Sequence, residues 1–338
     1  MKLVDSLKVY FDEDADLSVV KEKTIGVIGY GNQGRAWALN MRDSGLNVIV
    51  GNVKDSYWDQ AKADGFDVFS ISKAAAKADV ICLLIPDEVI PEVYDSKIHD
   101  NLKPGKILCF ASGYNIAFGL VKTPEYVKSI LVAPRMIGRG VRELFLAGSG
   151  APALIAAEDD YSLRIALAIS KALGFTRAGV FESTFREEAI CDLISEQVVG
   201  AATSAILKLA FEMAVKEGVR PEIEVLELYA SGELVEIWKK AAEVGLLNQM
   251  KFHSIASQYG QLSRQKRFMI KELKEIVRDI VSKIVSGEFT EELLLERKSG
   301  YSRLHKLYEE ASQHPMIRAE QRVLKILRRC ESGGTLHR

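Results

Sequence analysis

A glycine-rich turn near the N-terminus constrains the fold of this chain more than any other feature. The segment Gly29-Tyr30-Gly31-Asn32-Gln33-Gly34 directly follows a run of β-branched residues and opens a segment with helical spacing. In that context the first glycine permits a tight turn, the second lets the backbone approach a pyrophosphate, and the third lets the helix pack closely on the strand. The amide groups of the helix N-terminus then face the anion. We therefore predict that all six residues contact a bound dinucleotide.

The first half of the chain alternates short apolar runs with helical patterns. Runs rich in Val, Ile and Leu are typical of parallel strands that helices cover on both faces, and alternating βαβ units indicate a doubly wound sheet. The predicted strands are residues 24–29, 47–51, 79–85, 106–111, 129–133, 153–157 and 177–181. We predict an α/β Rossmann domain with a mostly parallel sheet over residues 1–183.

The second half carries no strand signal. Apolar residues recur at spacings of three and four, as expected for helices with one buried face. The predicted helical segments are residues 185–217, 221–244, 262–286 and 300–329. We predict an all-α domain over residues 184–330, and we treat residues 331–338, which have no periodicity, as a tail.

Size and composition exclude several classes of protein. The 338 residues suit two domains. Lys and Arg (45) balance Asp and Glu (46), which argues against nucleic acid or an anionic membrane surface as the main partner. No stretch approaches the roughly 18 apolar residues of a membrane span. Three of the four cysteines, Cys82, Cys109 and Cys191, lie in apolar runs, which predicts buried free thiols. We expect a cytoplasmic protein that binds a small-molecule substrate, and neither nucleic acid nor a membrane.

The end of the second predicted strand should decide the choice of cofactor. NAD usually meets a carboxylate there, whereas the 2′-phosphate of NADP needs cations or hydroxyl groups. Lys54 and Ser56 offer a cation and a hydroxyl group, and Asp55 offers a carboxylate. All three are candidate cofactor contacts, and the sequence leaves NADH and NADPH open.

Segments along nearly the whole chain resemble the ketol-acid reductoisomerase family. They are GYGNQGRAWALNMRDSG (29–45), IPDEVIPEVY (85–94), LKPGKILCFASGYNIAFG (102–119), VAPR (132–135), TFREEAICDLISEQ (184–197), PEIEVLE (221–227), SQYG (257–260) and a late His314-Pro315. The resemblance implies a Rossmann domain followed by a knotted helical domain. Two subunits would interlock to complete each site, so we expect a homodimer or a higher homo-oligomer.

The resemblance also implies an activity. Family members use NAD(P)H and two Mg²⁺ ions to convert acetohydroxy acids to dihydroxy acids in branched-chain amino-acid synthesis. An alkyl migration comes first, and a hydride transfer follows. Pro86 and Gly113, within the matching segments, would contact the cofactor.

Carboxylates in the helical half match the metal ligands of the family. Asp192 and Glu196 stand four residues apart, which on a helix places them on one face, and Glu188 fits an acidic position that supports them. Glu227 matches the third ligand, but Ser231 stands where the fourth is expected. We therefore predict one Mg²⁺ site from Asp192, Glu196 and Glu227, with the second in doubt.

Other departures from the family fall where substrate and nicotinamide should meet. Ser112 and Ala117 replace histidines, and Arg135 replaces a lysine. Arg35 and Trp37, in the glycine-motif helix, also stand at histidine positions. The predicted catalytic residues are Arg135, Ser112 and Glu196, and the predicted substrate contacts are Arg139, Ser254 and Ser257.

Three functions fit this pattern. In the first, the chain is an NAD(P)H-dependent reductase of a small 2-keto acid or a related ketone or imine and has lost the isomerase step. The reason is that serine is a poor proton-transfer group near neutral pH without an activator. Alternatively, it is a true ketol-acid reductoisomerase that converts 2-acetolactate to 2,3-dihydroxyisovalerate. The third reading is a non-catalytic dinucleotide-binding paralogue.

Overall fold

The structure, a computed structural model, describes residues 7–331. The chain divides into two compact units, Met1–Asp192 and Leu193–Arg338. The division lies inside a helical run that begins at Phe185, whereas the predicted boundary between residues 183 and 184 lies in the loop before it. Of the predicted tail, only Glu331, the last residue of the final helix, belongs to the described part.

A nine-stranded sheet forms the centre of the first unit within the described residues. Its strand order is β1-β9-β8-β7-β6-β5-β2-β3-β4, and all neighbours pair in parallel except β1 with β9 and β7 with β8. The strands are β1 Val9–Tyr10, β2 Thr24–Ile28, β3 Asn47–Gly51, β4 Asp67–Phe69, β5 Val80–Leu83, β6 Ile107–Phe110, β7 Lys128–Pro134, β8 Ala153–Ala156 and β9 Val180–Glu182. The mostly parallel sheet of the predicted Rossmann domain is confirmed.

Helices cover both faces of this sheet. Successive strand residues point to opposite faces, so Val27 and Cys82 pack in one core layer while Ile28 and Leu83 pack in the other. The helices of this unit are α1 Ser18–Lys21, α2 Asn32–Asp43, α3 Ser56–Ala63, α4 Ile71–Lys77, α5 Ile90–Val93, α6 Tyr114–Ala117, α7 Gly138–Leu146, α8 Asp160–Ala172 and α9 Phe185–Ile194, with a π-helical turn at Tyr94–Ile98.

The sequence analysis missed two strands. β1 has two residues and β4 has three, which is too short for a recognisable period of two. All seven predicted strands are present, with ends that differ by a few residues.

The second unit is helical, as predicted. Its helices are α10 Ala201–Lys216, α11 Pro221–Val225, α12 Glu233–Val244, α13 Leu246–Gln249, α14 Ile255–Phe268, α15 Lys271–Ser286, α16 Glu288–Lys298, α17 Ser302–Ser312 and α18 Pro315–Glu331, with π-helical turns at Ser195–Gly200 and Leu226–Ala230. The knot that the resemblance implies stays a prediction.

Three predicted helices prove to be interrupted. Gly232 adopts a left-handed conformation with φ of 84° and separates α12 from the preceding turn. The segment predicted at 262–286 breaks at Met269 between α14 and α15, and the segment at 300–329 breaks before Pro315, which begins α18. Helical periodicity survives such short breaks, so sequence spacing alone does not reveal them.

The structure departs from two details of the composition analysis, that no stretch is apolar enough for a membrane span and that Cys82, Cys109 and Cys191 are all buried. The helical run Phe185–Lys216 is long and apolar enough, by length and composition, to cross a membrane, and only 6% of its most apolar window is buried. Cys82 and Cys109 are buried free thiols as expected, but Cys191 is exposed. Apolar neighbours in the sequence do not bury a residue when its side of the helix faces away from the core.

Candidate functional site

The three glycines of the turn between β2 and α2 have three different surroundings. Gly29 has a φ of 94°, and a Cβ atom there would lie 2.6 Å from the carbonyl oxygen of Leu84. A Cβ atom on Gly34 would lie 2.0 Å from the carbonyl oxygen of Gly29, so the helix packs directly on the turn. Gly31 faces open space, with no atom within 4 Å of a Cβ position. This open side is where a pyrophosphate would approach the backbone.

The N-terminus of α2 is open to an anion. No side chain caps its first amides, and an uncapped N-terminus with its positive dipole end favours a phosphate. The Gln33 Nε2 atom donates to the Met136 carbonyl oxygen at 2.8 Å, and a Cβ atom on Gly138 would lie 2.1 Å from the Asn32 carbonyl oxygen. The loop that follows β7 is therefore held against the glycine turn.

A cavity of about 420 Å³ opens beside this turn, between α2, α3 and α7. Three arginines line it, and each has a carboxylate partner: Arg35 pairs with Asp64, Arg142 with Asp43 and Arg139 with Glu143. The Arg139 side chain is 81% exposed in its ion pair. Its role as a substrate contact stays a prediction.

The turn before α3 uses its carboxylate to cap the helix. The Asp55 Oδ1 atom accepts hydrogen bonds from the amides of Tyr57 (3.0 Å) and Trp58 (3.1 Å) and from Asn52 Nδ2 (2.9 Å). Such a cap compensates the orphan amides of the first helical turn. Lys54, Asp55 and Ser56 are all exposed at this turn. One oxygen of Asp55 is engaged in the cap, while the cation and the hydroxyl group face solvent.

A buried carboxylate joins the loops after β6 and β7. Glu188, on α9, has a side chain that is 1% exposed. Its Oε2 atom accepts from the Gly113 amide and its Oε1 atom from Arg135 Nη2, both at 2.5 Å. A Cβ atom on Gly113 would lie 2.0 Å from the Phe185 carbonyl oxygen, so glycine is required for α9 to approach this loop.

Arg135 also reaches the first predicted metal ligand. Its Nη1 atom donates to Asp192 Oδ1 at 3.2 Å. Burial raises the pKa of Glu188 above its usual range, although the Gly113 amide and Arg135 oppose that rise. One guanidinium thus lies between two carboxylates that are one helical turn apart on α9.

A second acidic group, which the sequence analysis missed, lies beside Ser112. Asp87 follows β5, and Asn115 Nδ2 donates to Asp87 Oδ1 at 3.1 Å. Burial raises the pKa of Asp87 to about 6, with a further contribution from Glu188 and other nearby carboxylates, while the Ser112 side chain opposes that rise. Its position in the segment IPDEVIPEVY, directly after a predicted strand, was the available signal.

Glu196 and Glu227 lie in irregular helix. Glu196 belongs to the π-helical turn Ser195–Gly200 and Glu227 to the turn Leu226–Ala230, and both are exposed. A π-helical turn changes the angular spacing of side chains, so the one-face argument for Asp192 and Glu196 does not apply across it. Ser231 directly follows the second turn, and Glu233 begins α12 after the left-handed Gly232.

The remaining predicted site residues have local structural partners. Ser254 caps α14 by accepting from the Ser257 amide at 3.2 Å, and the Ser257 hydroxyl accepts from Gln261 at 3.1 Å. The Pro86 carbonyl oxygen accepts from the amides of Val89 and Ile90. Their roles toward substrate and cofactor stay predictions.

Two departures from the family lie on α2. Trp37 is fully buried in the core, with its ring 6.2 Å from that of Phe175. Arg35 forms a bidentate hydrogen bond with Asp64. The expectation that Trp37 faces substrate and nicotinamide is therefore wrong, because α2 turns this side chain into the core. Arg35 lines the cavity beside the glycine turn, and its role there stays a prediction.

The described residues of one chain do not by themselves fit a metal centre. No group of three or more His, Cys, Asp or Glu side chains in residues 7–331 is arranged to hold a metal ion. One oxygen of Asp192 is engaged by Arg135, which opposes a divalent cation at that atom. The ligand set of Asp192, Glu196 and Glu227 stays a prediction.

Comparison with known proteins gives consistent matches along the chain. Residues 19–179 match the family model described as "Acetohydroxy acid isomeroreductase, NADPH-binding domain", and residues 185–329 match "Ketol-acid reductoisomerase, C-terminal domain". A protein of Saccharolobus solfataricus is 48% identical over 94% of this chain and 97% of its own length. A protein of Methanopyrus kandleri, named ketol-acid reductoisomerase (NADP(+)), is 45% identical over 95% of this chain and 98% of its own length.

A solved structure is similar to this chain over nearly its whole length. The NADH-preferring ketol-acid reductoisomerase from an uncultured archaeon superposes with a TM-score of 0.88 at 35% identity, over 94% of this chain and 98% of that one.

Replacing each of two motif glycines by alanine should separate binding from folding. Gly31→Ala fills open space, so we expect an unchanged melting temperature and cofactor binding weakened about tenfold or more, because the methyl group occupies the phosphate position. Gly34→Ala forces backbone apart and should lower the melting temperature. Thermal unfolding measures the melting temperature of each variant, and NADPH fluorescence titration measures its cofactor affinity. An unchanged NADPH affinity in Gly31→Ala would contradict the prediction that the glycine turn contacts the pyrophosphate.

Removing the charge of Glu188 should cost far more stability than removing that of an exposed partner. Glu188→Gln leaves Arg135 without its buried carboxylate, and we expect a loss of about 3 kcal/mol in the free energy of unfolding. The matched control is Glu143→Gln, which breaks the exposed pair with Arg139 and should leave the free energy of unfolding nearly unchanged. Chemical denaturation measures both losses. Equal losses would show that the Glu188 network does not organise the site.

Proposed function

This chain belongs to the ketol-acid reductoisomerase family, and from that premise we propose that it reduces a small 2-keto acid with NADPH while the isomerase step is slowed or lost. It is an NAD(P)H-dependent oxidoreductase of that family. The finer assignment concerns which half of the family reaction this chain retains.

The observation that carries this proposal is the ion pairing of Arg135. Its guanidinium donates to both Glu188 and Asp192, so a fixed positive charge engages the carboxylate at which a cation is expected. Alkyl migration needs two neighbouring substrate oxygens polarised by closely spaced cations. Carbonyl reduction needs the nicotinamide held against the carbonyl carbon and a proton for the oxygen. The arrangement therefore favours reduction over migration.

We propose NADPH as the cofactor. The Asp55 carboxylate is engaged in capping α3, which leaves exposed Lys54 and Ser56 as groups suited to a 2′-phosphate. The glycine turn and the open N-terminus of α2 would hold the pyrophosphate. Relatives named for NADP(+) support this choice, while an NADH-preferring relative keeps NADH as the alternative.

We propose a second copy of the chain as the partner of the helical unit. The core of that unit is small, centred on Phe211, Val225 and Met316, while large apolar side chains such as Trp238 and Ile276 are more than half exposed. A homodimer or higher homo-oligomer would cover this surface in a cytoplasmic protein. We also propose that one Mg²⁺ ion binds the predicted ligands Asp192, Glu196 and Glu227, with a second copy completing the set and one Asp192 oxygen remaining with Arg135. The ion would polarise a single substrate oxygen, which is enough for reduction.

Full ketol-acid reductoisomerase activity is the second candidate. It is favoured by the names of relatives that are 40–48% identical over nearly the whole chain. In that case Arg135 would have to leave Asp192 when a metal ion binds.

Two substrates separate these activities. We expect NADPH oxidation with 3-hydroxy-3-methyl-2-oxobutanoate, in which the methyl group has already migrated, to exceed that with 2-acetolactate about 100-fold, since only the second substrate requires migration. Both assays contain Mg²⁺, and NADH replaces NADPH in a parallel series. Similar rates would establish the full activity instead. Cofactor binding without turnover of either substrate would support the non-catalytic paralogue.

The oligomer is tested by sedimentation velocity at micromolar concentration. We expect a dimer or a larger species, because burial of the exposed apolar surface stabilises association. Flotation with lipid vesicles is the companion measurement, and the protein should not bind them. Monomers in solution, or association with vesicles through the run Phe185–Lys216, would contradict the proposal.

A further inference from the structure

Asp87 and Ser112 lie at the carboxyl edge of the sheet, beside the strand that carries the glycine turn. Asp87 is four residues beyond β5, and Ser112 is two residues beyond β6. β5 is the neighbour of β2, which carries the glycine turn, and β6 is the next strand. A dinucleotide whose pyrophosphate lies on that turn extends its nicotinamide over these carboxyl ends, at the point where the strand order reverses.

Hydrogen bonds fix the orientation of both groups. The Ser112 Oγ atom accepts from the Tyr114 amide at 3.2 Å, and the Ser112 side chain lies near enough to the Asp87 carboxylate to influence its pKa. Asn115 donates to the Asp87 side chain and to the Asp87 carbonyl oxygen, both at 3.1 Å. Asn115 is fully buried, and its own Oδ1 atom has no hydrogen-bond partner in the part of the chain that the structure describes. Such an unsatisfied acceptor costs stability, as is common where function constrains a side chain.

The surroundings of Asp87 favour an exchangeable proton. Glu88, Glu188 and Asp192 face it as negative charges, and Arg135 partly neutralises the last two. Burial, together with these charges, raises the pKa of Asp87 to about 6, although the Ser112 side chain opposes that rise. A carboxyl group in that range both holds and releases a proton near neutral pH, which suits general acid catalysis.

We propose that Ser112 and Asp87 form the proton-donating pair of the reduction, with Ser112 touching the substrate oxygen and Asp87 supplying the proton behind it. This rests on the proposed function. Hydride leaves the nicotinamide and bonds to the carbonyl carbon, and the electron pair of the broken C=O π bond goes to oxygen. That oxygen takes the Ser112 proton, Ser112 takes the Asp87 proton, and Asp87 regains one from solvent. In total one ketone, one NADPH and one proton give one alcohol and one NADP⁺.

A double-mutant cycle on the full-length protein tests the pair. Ser112→Ala and Asp87→Asn should each lower kcat for 3-hydroxy-3-methyl-2-oxobutanoate about 100-fold. The double variant should be no slower than the slower single variant, because both changes break one relay. The KM for NADPH should stay unchanged. Asp95→Asn, an exposed carboxylate on the segment after α5, is the matched control and should retain the activity of the unaltered protein.

The pH profile and a rescue variant exclude a purely structural role. In the unaltered protein kcat should fall as pH rises through about 6, because the protonated acid is the donor, and Ser112→Ala should lose this limb. Ser112→His in the Asp87→Asn background should recover at least about tenfold in kcat, since histidine carries its own proton. If Asp87→Asn does not fold, the Ser112→Ala profile decides alone.

Two failures remain distinguishable. If the unaltered protein turns over, any one of three results overturns the pair and leaves the proposed function standing. They are additive losses in the double variant, an unchanged pH profile in Ser112→Ala, and near-full activity of Asp87→Asn. No turnover by the unaltered protein overturns the proposed function and the pair together.

Discussion

The burial of one carboxylate constrains the arrangement of the site. Removing an ionised side chain from water costs several kcal/mol unless hydrogen bonds and opposite charge compensate it. Glu188 obtains both, from the Gly113 amide after β6 and from Arg135 after β7. These contacts bring α9 against the carboxyl edge of the sheet, and the close approach leaves no room for a side chain at residue 113. The same guanidinium then also holds Asp192.

The loops at this edge are mutually supported. Gln33 links the glycine turn to the loop after β7, and that loop carries Arg135. Asn115 links the loop after β6 to Asp87, which follows β5. Each chemically active side chain is therefore oriented by a partner on another strand connection, which is how a doubly wound sheet positions a site built from loops.

Much of this architecture was predictable from the sequence, for physical reasons. Strands such as β2 and β5 are buried on both faces, so they must be continuously apolar. Gly29 is required by its positive φ, and Gly34 by its close contact with the nearby Gly29. The Glu188 network was less predictable because it joins residues 53 and 75 positions apart. The π-helical turns around Glu196 and Glu227 were missed because their effect on side-chain direction leaves no periodic signal. Asp87 was overlooked because its raised pKa depends on burial, and the local sequence does not encode burial.

The departures from the family divide into two groups in the structure. Arg35 and Trp37 are explained by packing and by an ion pair, whereas Ser112 and Arg135 each meet a carboxylate at the sheet edge. Ser112 and Arg135 therefore bear directly on the chemistry.

The proposed function depends on Arg135 occupying the space between Glu188 and Asp192 in the working protein. A crystal structure with NADPH and Mg²⁺ tests it most directly. The guanidinium should bridge the two carboxylates, whereas Arg135 turned to solvent with two metal ions at Asp192 would contradict the account.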